Sequence, residues 1–229
     1  MLIKPSIASL LAFLLMTSLA QADLAKGLDA VTAGHWSAAL AEFKPLANKG
    51  DPNAQVNLGN LYMRGLGVEQ NYGTAYAWYE KAAHQGHSTA QNKLAVMLYY
   101  GLGMKENHAE AAQWFLKAAE TGDAAAAMVM AELYDKGDGV PASKVNAYVW
   151  SSIAADLGKQ EALDQRVHLT NELSPTDLNT ALTHLNVWRE EHGMDRSDPT
   201  RTQAEPASSR KKIRPARSPK QKSEKKPEP

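Results

Sequence analysis

The sequence predicts an all-α fold: an α/α superhelical solenoid, closed by C-terminal capping helices and followed by a disordered basic tail. Three observations predict it. Gly65, Gly101 and Gly137 stand 36 residues apart, and the same interval relates Gly67, Gly103 and Gly139, then Trp78, Trp114 and Trp150, then Gly86, Gly122 and Gly158. Alanines keep the interval too, at Ala75, Ala111 and Ala147 and at Ala83, Ala119 and Ala155. Within each interval apolar residues recur at helical spacing, as at Ala54, Leu58, Leu61 and Tyr62 and again at Ala75, Trp78, Tyr79, Ala82 and Ala83. A unit of this size buries its apolar face only by stacking on its neighbours.

In chain order, the first segment is an export signal. Met1 to Lys4 is short and basic, Ile7 to Leu19 is mostly apolar, and Ala20-Gln21-Ala22 is a small-x-small cleavage site, so residues 1–22 are expected to be removed and the mature chain to begin at Asp23. The apolar run is short for a membrane anchor and ends in that cleavage site. The chain has no cysteine, which excludes a disulfide framework and lipid attachment through a thiol.

Residues 23–50 predict a shortened first repeat. Trp36, Ala39, Phe43 and Gly50 precede Tyr72, Ala75, Tyr79 and Gly86 by 36 residues, so the second helix is kept, whereas the first, Leu24 to Ala33, ends at Gly34 without the longer glycine turn. The full repeats are 51–86, 87–122 and 123–158. In the first of them Asp51 is placed to accept from free amides and Pro52 suits the first helical position, giving helix A from Pro52 to Arg64. Gly65 and Gly67 supply the positive φ angles of the turn. Asn71 then caps helix B, Tyr72 to Gln85, which Gly86 ends. Ser88, Asn107, Asp123 and Ser143 are the expected caps in later copies.

Beyond Gly158 the period stops but helical patterning continues. Gln160 to Leu173 is expected to pack through Ala162, Val167 and Leu169; Ser174-Pro175 starts another helix with Leu178, Ala181, Leu182, Leu185 and Trp188 on one face, up to Gly193. Together, 159–193 would cap the stack. From Asp195 to Pro229 the composition turns to Pro, Ser, Lys and Arg, predicting disorder. Arg210 to Pro229 carries nine basic and two acidic residues, +7, whereas Asp23 to Ser209 carries 15 basic and 23 acidic, −8. A formal net charge of zero thus conceals an acidic body and a basic tail. The tail admits three readings: a solvated linker, attraction to an anionic envelope surface, or contact with its own acidic body. Nucleic acid is not expected, since no aromatic residues interleave the lysines.

The segments LGNLYMRGLGV with AYAWYEKAA, and LAVMLYYGLGM with AAQWFLKAA, resemble the Sel1-like repeat, a relative of the tetratricopeptide repeat. The third copy departs at Ser151, where Tyr79 and Phe115 stand, and at Ile153, where Lys81 and Lys117 stand, as a terminal repeat adapted to the helices after it. The resemblance spans about Asp23 to Gly193. It implies a bacterial export route to the periplasm and a monomeric protein-interaction adaptor or regulator that binds a protein or peptide in a concave groove lined by the A helices. The implied groove residues are Asn60, Met63 and Arg64, then Val96, Tyr99 and Tyr100, then Glu132, Asp135 and Lys136, with a second row of Val56, Asn92 and Met128. Tyr99, flanked by Met63 and Met128, is the expected hot spot.

Chemistry finds little support. The Gly-x-Gly turns lack the preceding strand and the Lys-Ser/Thr of a phosphate loop, there is no HExxH or GxSxG, and the seven histidines are scattered. No catalytic residue, metal or cofactor is expected. The alternative is an envelope protein that binds peptidoglycan fragments or resembles a β-lactamase; the Sel1-like proteins linked to penicillin binding are cysteine-rich, unlike this chain.

Overall fold

The computed structural model describes residues 23–194; residues 1–22, expected to be an export signal, and 195–229, expected to be a disordered basic tail, lie outside the described residues. Among the described residues ten helices follow one another and there is no strand. Helix α1 covers 23–32, and α2 (Trp36–Asn48) completes the shortened repeat. Three A/B pairs follow: α3 (Pro52–Arg64) with α4 (Tyr72–His84), α5 (Ser88–Tyr100) with α6 (His108–Glu120), and α7 (Ala124–Lys136) with α8 (Lys144–Asp156). Then come α9 (Glu161–Glu172) and α10 (Pro175–Glu191). The principal packing contacts join consecutive helices from α2·α3 through α8·α9, as in a solenoid.

The caps explain why the helices begin where they do. Asp51, Asn71, Asn107, Asp123 and Ser143 each accept from a backbone amide two or three residues on. The expected cap Ser88 is instead the first helical residue, and His87 is the cap, its Nδ1 accepting from the Ala90 amide at 3.4 Å. His87 is the residue in register with Asp51 and Asp123, and an imidazole nitrogen serves there as an acceptor just as a carboxylate does. Each A helix ends on a left-handed glycine, Gly65, Gly101 or Gly137. The second turn glycine has a steric role as well. A Cβ on Gly67 would stand 2.7 Å from the Trp36 carbonyl carbon, on Gly103 2.7 Å from the Tyr72 Cβ, and on Gly139 2.3 Å from the His108 oxygen. Each turn therefore seats on the first turn of the preceding repeat's helix B.

Phe43, Tyr79, Phe115 and Ile153 are buried along the stack among alanines that are fully enclosed. The Tyr79 ring fits because Gly59 faces it: a Cβ there would lie 2.6 Å from Cε1. Two buried glutamines tie repeats together. Gln55 Nε2 donates to the Ala47 carbonyl and Gln91 Nε2 to the Ala83 carbonyl, both at 3.2 Å, as second donors to carbonyls that also accept from the Gly50 and Gly86 amides. In the last full repeat Ser151 and Ser152 are wholly buried beside Ile153, which suits a helix covered on its far side by α9.

The capping helices bury fewer residues than their pattern predicts. Ala162 and Leu169, seven residues apart on one face, are buried on α9, but Val167 is 59% exposed. On α10 Ala181 and Leu185 are buried and Leu178 and Trp188 pack partly, whereas Leu182 is exposed. Both misplaced residues fall away from the narrow stripe that a single covering contact requires. Ser174 caps α10, accepting from the Asp177 amide and donating to its carboxylate.

Candidate functional site

The A-helix side of the first junction between full repeats carries a cavity of about 480 Å³. Its lining includes Asn60, Met63 and Arg64 from α3 and Asn92 and Val96 from α5, so five of the twelve predicted groove residues come together in one place. Residues outside that prediction also line it, among them Val31 and Trp36 from the shortened repeat, Asn57, Tyr79 and Lys93. Val56 does not line the cavity; it is 6% exposed and belongs to the core. Tyr99, Tyr100, Met128, Glu132, Asp135 and Lys136 also lie elsewhere, along the next junctions.

Inside the cavity Tyr79 organises the polar groups. Its hydroxyl donates to Asn60 Oδ1 at 2.8 Å, and its ring lies 5.9 Å from the Lys93 ammonium, within range of a cation–π contact. Burial pushes the Tyr79 phenol far above its usual range. Lys93 goes the other way: burial, then the Arg64 guanidinium, pull its pKa below the ordinary value, against a weaker opposing pull from Asp123. Asn92 Nδ2 donates to the Asp123 carboxylate at 3.0 Å.

Tyr99 is less available than expected. Its hydroxyl donates to Asp138 Oδ2 at 2.6 Å, and its ring stacks on His108 with centroids 4.4 Å apart. His108 Nδ1 also pairs with Asp138. The hydrogen bond to Asp138 raises the Tyr99 phenol to about 12, and the same bond, with that from His108, lowers the Asp138 carboxyl. The tyrosine that presents its ring is Tyr100, 67% exposed and edge-on to Tyr99. A His–Asp pair invites comparison with a catalytic dyad, but the ring beside it is an undissociated phenol, and among the described residues no serine or threonine hydroxyl bonds His108.

Farther along, Lys136 reaches Glu132 at 3.4 Å, and Lys144 bridges Asp135 and Glu172 at 2.6 Å each, so the predicted charges of the last row are engaged within the chain. Among the described residues no group of three His, Cys, Asp or Glu is placed to hold a metal ion, and no helix is long and apolar enough to cross a membrane.

The tryptophan row lies away from this face. Lys81 and Lys117 each stand over the indole three residues before them, at 4.1 and 4.0 Å from the ring centroids of Trp78 and Trp114. Trp114 is also met edge-on by His84 at 5.2 Å. Where the lysine is replaced, Ile153 is buried instead. The lysine of the repeated segment is therefore a lid on its tryptophan, a role its spacing discloses once helix geometry is assumed.

Comparison with known proteins accords with this architecture. The Sel1 repeat model matches residues 52–87, 88–123 and 124–159, including the divergent third copy. The crystal structure of a Sel1 repeat protein from Oxalobacter formigenes is similar, with 30% identity and a TM-score of 0.58 over 78% of this chain; the match covers 65% of that longer chain. A second similar structure is c5321, a protective antigen of uropathogenic Escherichia coli with an SLR fold, at 25% identity and a TM-score of 0.47 over 76% of this chain and 46% of that one. No curated protein sequence matches. Three matched repeats, the glycine turns seated on the preceding helices and the solenoid stacking together establish that the chain belongs to the Sel1-like repeat family.

Proposed function

We propose that the protein is a periplasmic adaptor or regulator that binds an extended peptide or protein segment along its A-helix face. Sel1 repeat proteins generally mediate protein–protein interaction on a non-catalytic scaffold. The observation that carries the finer reading is the cavity between α3 and α5, where side-chain amides, cations and apolar walls converge. Side-chain amides suit a peptide backbone because each offers both a donor and an acceptor. Periplasmic location rests on the signal-like residues 1–22, and a role for the tail at an anionic envelope surface rests on its +7 charge.

Crosslinking and pull-down from intact envelopes, with the full chain and with one lacking Arg210 to Pro229, test the reading. A protein partner recovered with both is expected; glycan fragments in its place would favour a peptidoglycan receptor. Intact mass of the periplasmic form is expected to begin at Asp23. Retention of Met1, or confinement to the cytosol, would overturn the location.

A further inference from the structure

Arg64 and Lys93 both line the cavity between α3 and α5, and no lining residue is acidic. Among the described residues neither forms an ion pair. In a body that carries −8 between Asp23 and Ser209, two cations that face one cavity without an ion-pair partner run against the character of the surface, with Asp123 only a weaker counter-charge to Lys93. Lys93 is half-buried, and it meets the guanidinium's repulsion as well as the loss of water. An anion set between the two would relieve both penalties.

The repeat supplies an internal control. The residue 36 after Arg64 is Tyr100, the residue 36 after Lys93 is Val129, and the residue 36 before Lys93 is Asn57. Helices α5, α6 and α7 stack as α3, α4 and α5 do without either charge, so stacking does not need the pair. The surroundings fit a peptide ligand. Asn60 gives its oxygen to Tyr79 and keeps its Nδ2 protons for a guest, while Met63 and Val96 supply an apolar wall.

We propose that this cavity binds a peptide carboxylate between Arg64 and Lys93, with a neighbouring apolar side chain of the same peptide against Met63 and Val96. The planar guanidinium matches the two oxygens of a carboxylate, and Lys93 adds a point charge. One permanent cation and one that is partly withdrawn from water suit a single negative charge better than a phosphate dianion. The inference deepens the peptide-binding reading and rests on it.

The test presents the full chain with two synthetic peptide libraries, one with free and one with amidated C-termini. The wild type is expected to select Asp or Glu next to an apolar residue from both libraries, or free C-termini from the first only; the two libraries thus tell which carboxylate is used. For the tightest peptide selected, Arg64→Gln with Lys93→Gln is expected to weaken binding about 10- to 100-fold. Replacing the peptide's carboxylate by an amide should cost a similar factor in the wild type and nothing further in the double variant. That ligand-side substitution gives a readout even if the double variant is poorly folded, and Tyr100→Ala serves as the control at the equivalent position. Selected peptides with no enrichment of carboxylates, or whose amide forms bind equally well, overturn the clamp and leave peptide binding standing. If the wild type selects no peptide from either library, both readings fall.

Discussion

The junction of α3 with α5 and the junction of α5 with α7 are built on one repeat and put to different uses. Met63, Tyr72 and Leu102 surround the first; the residues 36 later are Tyr99, His108 and Asp138. At the first junction all three are apolar or aromatic and pack against the core, leaving the face beside them open as a cavity. At the second they form a closed polar network, in which a phenol and an imidazole share one carboxylate. The difference teaches that the period governs backbone placement through its glycines, caps and alanines, while side chains at the rim decide whether a junction is open to a guest or tied shut.

The largest expected effect concerns what the two junctions share. Trp114→Ala is expected to cost about 3–5 kcal/mol in urea unfolding, because it removes a ring that is only 8% exposed, together with its His84 and Lys117 contacts. Trp78→Ala, at a half-buried indole, should cost clearly less. Equal losses would mean that burial differences between the repeats do not govern their stability.

The closed junction is next. Asp138 has its carboxyl pKa held below the ordinary 3.8 by bonds from Tyr99 and His108. A depressed carboxyl contributes stability above its unfolded pKa and loses it as pH falls through the folded one. Asp138→Asn is therefore expected to be about 1 kcal/mol less stable than the wild type near neutrality, with the gap closing as pH falls below the ordinary 3.8 and through the depressed folded value. A gap that persists unchanged in acid would show that the network is not electrostatic.

The smallest effect belongs to the open junction, and its sign is opposite. The Lys93 pKa is lowered from 10.5, so its charged form opposes folding, and wild-type stability should rise as pH climbs through the folded value towards 10.5. Lys93→Met is expected to be neutral or stabilising by less than about 1 kcal/mol at pH near 7, and the difference to vanish in alkali. Destabilisation by this substitution would make Lys93 a structural residue and weaken the contrast with the closed junction.

Much of the fold was legible because stacking demands repetition. Register disclosed the glycine turns, the tryptophans and most caps; His87 was hidden only because histidine is an unusual acceptor at a helix start, although its place 36 residues after Asp51 pointed to it. The buried Gln55 and Gln91 stand in register as well, but the sequence did not single them out, since Ala127 takes their place in the third copy. The site was less legible. Lys93 shares its register position with Asn57 and Val129, so nothing periodic marks it, and it enters the cavity only because Arg64 and Tyr79 come from a different repeat. Tyr99 and Tyr100 are adjacent in sequence, and which ring faces outward depends on Asp138, 39 residues away. On the capping helices, Val167 and Leu182 show that apolar periodicity overstates burial where only one neighbour is present to cover a helix.

Nearest-neighbour stacking also bears on how the chain acquires its structure in time. Nearly every helix contact here closes a loop no longer than one repeat, so the conformational search is short and the barrier from long-range pairing is small. A polypeptide that crosses a membrane unfolded emerges from one end first. One built in this way has no need to wait for its last segment: on the proposed export route α1 and α2 can meet α3 and α4 while later residues are still in transit, each arriving repeat finding its docking surface already formed. Deleting the last repeat and the capping helices should consequently slow the folding of the first repeats very little, a rate that stopped-flow tryptophan fluorescence of Trp36 and Trp78 can follow.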